Sequence, residues 1–101
     1  MLIDGREGVR EVRRMLKEGY NVNMLSALVC EALNKHNSGG RLTKIERFYA
    51  GLRYSDFLLF EGENSETAYY MAEQKRIEYL NVLGIDRVTL NFLCEKFGGF
   101  K

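Results

Sequence analysis

The sequence contains no proline and no tryptophan, and only two cysteines and one histidine. Without proline, every break between elements has to come from glycine or from polar turn residues. Cys30 and Cys94 do not form a disulfide framework, which favours a reduced, cytoplasmic setting. The HxE and CxxC spacings of zinc sites are missing, and the acidic loop at Glu61–Glu66 lacks the ligand spacing of a calcium site. We therefore predict no metal and no cofactor.

Long apolar runs and an excess of one charge are missing as well. No apolar stretch approaches the roughly 18–20 residues that a membrane span needs, and no apolar run follows a basic start at the N-terminus. Neither a membrane span nor a signal peptide is predicted. The net charge is only +1, from 15 basic and 14 acidic side chains. Because this balance gives no general attraction to nucleic acid, any anion binding must come from local segregation of charge.

The chain does have the composition of a globular domain, with 46% hydrophobic and 29% charged residues. We predict a single α+β domain over residues 1–101, in the order ααββαβ. A three-stranded, mostly antiparallel sheet would carry the helices on one face. The predicted helices are Arg6–Glu18, Met24–His36 and Asn64–Gly84, and the predicted strands are Leu42–Ala50, Tyr54–Glu61 and Arg87–Glu95.

The three strands depend on two different patterns. The first two rest on β-branched and aromatic content on either side of Gly51. The last rests on alternation with a period of two, which would place four residues on one side of the strand: Val88, Leu90, Phe92 and Cys94. A sheet this small leaves exposed edges and an open apolar face, so we predict a homo-oligomer, most simply a dimer. The interface candidates are Tyr70, Ile77 and Leu93.

Two basic residues lie in the apolar half of the long central helix. Arg76 falls in the middle of that half, and Lys75 lies near its edge. The stem of Arg76 can pack while its guanidinium reaches the rim. Alternatively the charge is buried against a carboxylate, or held in a pocket to meet an anion. We leave these interpretations open. The ligand-binding candidates are Arg76, Lys75, Arg47 and Arg53, with Tyr49, Tyr54 and Tyr69 for stacking.

The first helix carries a basic face beside its apolar stripe. Arginine suits bidentate recognition of oxyanions, so this face is a candidate for binding phosphates or an acidic partner. The alternative is a solvated surface whose ion pairs are worth only a few tenths of a kcal/mol each. The residues of the face are Arg6, Arg10, Arg13, Arg14 and Lys17.

The patterns together predict a non-enzymatic binding or regulatory module that acts as a homo-oligomer. Its ligand would be a protein partner or a small, nucleotide-like anion, and a small phage or mobile-element protein would fit this description. The alternative is nucleic-acid binding through the basic face of residues 6–17. An enzyme is disfavoured, because Cys30 and His36 point roughly 120° apart on a helix and Cys94 lies in another element.

Overall fold

The structure is a computed structural model that describes residues 5–98. These residues form five α-helices and one short 3-10 helix, and no β-strand occurs among them. The predicted α+β class and three-stranded sheet are therefore wrong. The helices are α1 (Gly5–Lys17), α2 (Val22–Asn37), α3 (Lys44–Arg53), α4 (Ser65–Leu83) and α5 (Arg87–Gly98), and the 3-10 helix is Ser55–Phe57. No described helix combines the length and the apolarity needed to cross a membrane.

The three predicted helices are present, and polar side chains and glycine set their ends. Asn21 accepts a hydrogen bond from the backbone N–H of Met24 at 3.0 Å, at the start of α2. Asn64 does the same for Thr67 at 2.9 Å, at the start of α4. Gly84 ends α4 in the left-handed conformation, with φ of 68°, which a residue with a side chain rarely adopts.

The segment predicted as the first strand is mostly helix α3. Thr43 and Glu46 form a reciprocal capping box, in which each side chain accepts a hydrogen bond from the other residue's backbone N–H. Phe48 and Leu52, four residues apart, are both fully buried. Helix α3 contacts all four other helices. Its aromatic and β-branched residues therefore reflect burial on several sides, which does not require a strand.

The segment predicted as the second strand is the 3-10 helix followed by irregular chain. Leu58 is buried against Gly51, where a Cβ atom would overlap the Leu58 side chain. Phe57 and Phe60 are half-buried against the same core. This apolar segment fills space between helices. Its hydrophobicity therefore reflects burial and does not indicate a strand.

The segment predicted as the last strand is helix α5. A strand would place the alternating apolar residues on one face, but the helix divides them between two opposite faces. Leu90 and Cys94 are fully buried, whereas Val88 and Phe92 are 71% and 65% exposed. Asp86 stabilises the start of the helix by accepting a hydrogen bond from the backbone N–H of Val88 at 3.0 Å.

The core is built around α3, and its contact with α1 depends on a glycine. Gly8 lies directly against the ring of Phe48, where a Cβ atom would overlap the ring. On its other side Phe48 meets the ring of Tyr79 in α4, with the ring centroids 5.4 Å apart. Helix α1 thus lies against both α3 and α4, and an open groove remains between α1 and α4.

Candidate functional site

The groove between α1 and α4, here called the α1–α4 groove, has a volume of about 920 Å³. Apolar residues that range from buried Tyr79 to exposed Val82 line it together with basic residues, of which the three arginines are exposed. Four cations and two carboxylates leave an excess of positive charge. The lining side chains are Val9, Phe60, Tyr79 and Val82 (apolar), Arg6, Arg10, Arg13 and Lys75 (basic), and Glu7 and Glu78 (acidic).

The five residues of the predicted basic face do not all line the α1–α4 groove. Arg6, Arg10 and Arg13 line the α1–α4 groove and form no ion pair with another residue of the range 5–98. Arg14 is instead held by Glu11 and Glu18, and its hydrogen bonds hold the pKa of Glu11 below its usual range. Lys17 is exposed and outside the groove. Three arginines therefore remain for an external partner.

A second, smaller depression, here called the arginine cleft, has a volume of about 340 Å³. It lies where the end of α3, the 3-10 helix, α4 and α5 meet. Four of the seven predicted ligand-binding residues line it, although they come from separate parts of the sequence: Arg53, Tyr54, Tyr69 and Arg76. Sequence reasoning missed the remaining lining residues, which are Ser55, Asp56, Glu73, Arg87 and Asn91.

Arg76 is buried and paired within its own chain. It donates hydrogen bonds from Nε and Nη2 to the carboxylate of Glu73, at 3.2 and 2.6 Å. The Arg76 side chain is 9% exposed and that of Glu73 is 29% exposed. Hydrogen bonds from Arg76 and then from Ser55, with the positive charges of Arg76 and Arg87, lower the pKa of Glu73 against the opposing effect of burial. The structure thus supplies the carboxylate that a buried arginine requires, and a ligand contact by Arg76 stays a prediction.

Arg53 is also buried, at the C-terminal end of α3. Its Nη1 donates to the backbone carbonyl of Asn91 at 2.7 Å, and its Nη2 lies 3.4 Å from the carboxylate of Glu95. The guanidinium carbon is 5.3 Å from the centre of the Tyr54 ring, a cation–π distance. These contacts fix Arg53 between α3 and α5.

The other three predicted ligand residues lie elsewhere. Lys75 lines the α1–α4 groove and pairs with Glu78 at 3.0 Å. Tyr49 is buried, where desolvation raises its pKa, and its hydroxyl lies 3.5 Å from the sulfur of Met15. Arg47 is half-buried and lines neither depression, and its Nε has no hydrogen-bond partner within residues 5–98. The structure therefore does not bring these residues to one site.

The predicted interface residues of α4 belong to a longer uncharged stripe. Tyr70 and Ile77 are exposed, whereas Leu93 of α5 is half-buried. All members of the stripe are exposed and follow one another at spacings of three and four residues, as along one helix face. The stripe consists of Thr67, Tyr70, Gln74, Ile77 and Asn81.

The nucleophile and base candidates do not contact each other through hydrogen bonds within residues 5–98. Cys30 and Cys94 are both buried, and burial raises the pKa of the Cys94 thiol. His36 is exposed at the end of α2, with its ring edge-on to Phe57 at 4.9 Å. This arrangement provides no activated nucleophile among these three side chains.

Comparison of the chain with protein-family models found no matching family. Comparisons with curated proteins and with solved structures found no match either. The two depressions and the exposed stripe are therefore the features of the molecule that point to a function.

Proposed function

We propose that the protein is a non-enzymatic binding module that recognises an acidic protein partner through the α1–α4 groove, and that it acts as a cytoplasmic homodimer. The observation that carries the proposal is the combination of three unpaired arginines with apolar lining in one groove between two helices. Apolar contact supplies affinity for a protein side chain, and the cations select an acidic partner.

The position of the groove between two helices favours a helical segment as the bound element. Amphipathic helices bind in grooves by placing side chains at positions i, i+3, i+4 and i+7 on the apolar surface. Carboxylates on the flanks of such a helix would meet Arg6, Arg10 and Arg13. Because these guanidinium groups are exposed and form no ion pair within residues 5–98, binding would not have to break an existing pair to reach them.

Charge reversal at Arg10 is expected to weaken this binding about tenfold, which corresponds to about 1.4 kcal/mol. The probe is a fluorescent peptide of 18 residues, with leucine at helical spacing and glutamate elsewhere, titrated by anisotropy. Arg41→Glu provides the matched control, because Arg41 is exposed and lies outside the groove. Equal affinities of Arg10→Glu, Arg41→Glu and the unchanged protein would exclude the groove as the site.

Nucleic-acid binding is the second candidate, because the same three unpaired arginines could contact phosphates. Apolar lining contributes little to backbone contacts, which is why we rank this function second. Fluorescent random-sequence RNA and DNA of matched length distinguish the two candidates. Tight binding with a steep salt dependence, lost in Arg10→Glu, would favour nucleic acid over an acidic protein.

The homodimer is proposed to form through the uncharged stripe of α4. Burying Tyr70 and Ile77 against a second copy would remove exposed apolar surface, and no charge of the stripe would be desolvated. We expect Tyr70→Glu to reduce the solution mass from a dimer to the 11.7 kDa of one chain in sedimentation equilibrium. Phe92→Glu is the control, since Phe92 has the same 65% exposure on α5. A monomeric unchanged protein would contradict the dimer directly.

A further inference from the structure

We propose that the arginine cleft is a second binding site, which takes the phosphate group of a small phosphate monoester and uses Arg87 as its main contact. This site lies apart from the α1–α4 groove, and it would operate whether or not the groove binds a protein. The proposal rests on how three guanidinium groups from three different helices converge on one cleft.

Two of these guanidinium groups are already fixed by the fold. Arg53 is held by Asn91 and Glu95 of α5, and Arg76 is held by Glu73. A charged side chain that is ordered before binding loses less conformational entropy when a ligand arrives. Arg76 uses Nε and Nη2 for Glu73, so its Nη1 amino group is the part that remains for a ligand. The cleft therefore contains a partly preorganised cationic surface.

Arg87 is the third cation, and it differs from the other two. It is exposed, and it forms no ion pair with another residue of the described chain. It lines the cleft together with Arg76 and Glu73, and its positive charge helps to lower the pKa of Glu73. One carboxylate thus lies beside two guanidinium groups, which leaves positive charge for a second, external oxyanion. Arginine donates two parallel hydrogen bonds to phosphate, so Arg87 suits this role.

The lining also contains groups that limit which anions bind. Asp56 is exposed at the cleft and would repel an anion. Arg76 pairs with Glu73 and Arg53 with Glu95, so Arg87 is the lining cation that has no ion pair among the described residues. The volume of about 340 Å³ is near the lower end for ligand pockets, so it suits a molecule the size of a mononucleotide. Tyr69 is exposed beside the arginines and offers a ring face for stacking. These features favour a phosphate monoester that carries a planar ring.

The experiment titrates the full-length protein with inorganic phosphate and, separately, with adenosine monophosphate, monitored by amide chemical shifts in NMR. We expect both to shift residues of the cleft, and the monoester to bind more tightly. Arg87→Ala should weaken both about tenfold, the equivalent of one charge-assisted contact. Tyr69→Ala should weaken only the monoester. Arg41→Ala, which replaces an exposed arginine that does not line the cleft, should change neither affinity.

Three outcomes would overturn the proposal. The first is that the amide signals of the cleft residues do not shift at about 10 mM phosphate. A dissociation constant above that concentration would be too weak for a functional site. The second is equal affinity of Arg87→Ala and Arg41→Ala, which would mean that phosphate binds by general charge. The third is that phosphate and the monoester bind with equal affinity and that Tyr69→Ala changes neither affinity. The cleft would then recognise free phosphate and not a phosphate monoester. Asp56→Asn, which removes the repelling charge, should strengthen binding several-fold if the proposal holds.

Discussion

Truncation of Phe48 to alanine is expected to lower the free energy of unfolding by about 3–5 kcal/mol, the usual cost for a buried phenylalanine. Phe48 is fully buried in α3 and contacts α1 at Gly8 and α4 at Tyr79. A loss of this size is a large part of the roughly 5–15 kcal/mol that holds a domain together. Chemical denaturation measures the change as a lower midpoint with an unchanged slope.

The contact with Gly8 gives this prediction an internal control. Gly8→Ala alone should destabilise the protein by about 1–3 kcal/mol, because the added Cβ overlaps the Phe48 ring. In the Phe48→Ala background the same substitution should be neutral or stabilising by up to about 1 kcal/mol, since the ring is gone and alanine favours the helix. A double-mutant cycle measures this coupling. Additive effects of the two substitutions would mean that α1 does not lie on Phe48 as described.

Replacement of Glu73 by alanine is expected to cost about 2–3 kcal/mol. The substitution leaves the buried guanidinium of Arg76 without its carboxylate. The cost should fall below the 3–5 kcal/mol of a fully buried pair, because water reaches Glu73 in part. Adding Arg76→Met should recover most of the loss, since a buried pair is often replaceable by apolar side chains. A double variant as unstable as Glu73→Ala would show that Arg76 has another essential contact.

The same pair predicts a pH dependence whose direction can be stated. The pKa of Glu73 is lowered in the folded protein, so the carboxylate stabilises the fold at pH values above its unfolded pKa of about 4.3. This stabilisation disappears as the pH falls through the lower pKa of the folded state. The difference in stability between the unchanged protein and Glu73→Ala should therefore shrink from pH 7 to pH 3. Chemical denaturation at both pH values measures this difference. Glu18→Ala is the control, because it removes a carboxylate from the exposed ion pair with Arg14.

The sequence correctly predicted the helices that combine apolar residues at helical spacing with residues that favour helix ends. Asn21, Asn64 and Gly84, residue types that favour helix ends, cap α2 and α4 in the structure. The first predicted strand failed because aromatic and β-branched content reports burial, and α3 is a helix buried on several sides. The capping box of Thr43 and Glu46 was readable in the sequence and would have identified α3. For α5, the alternation of apolar residues arose because two helix faces, one buried and one exposed, are both apolar.

The candidate sites were predictable only in part, for the same physical reason. Arg53, Tyr54, Tyr69 and Arg76 were singled out by residue type, and the fold brings them to one cleft. Arg87 was missed because it was assigned to the start of a predicted strand. The intrachain partner of Arg76, Glu73, lies three residues before it on the same helix turn, a spacing that sequence reasoning could have used.

The central position of α3 has a consequence for how the chain folds. It has ten residues and contacts all four other helices. A helix of that length is only marginally stable by itself, since the first turn is costly to form. Helix α3 therefore becomes stable only as its neighbours arrive. The α2–α5 pair and the α1–α4 pair in turn contact each other mainly through α3. Formation of the native state is coupled across the whole chain, so the helices gain and lose their structure in a single cooperative transition.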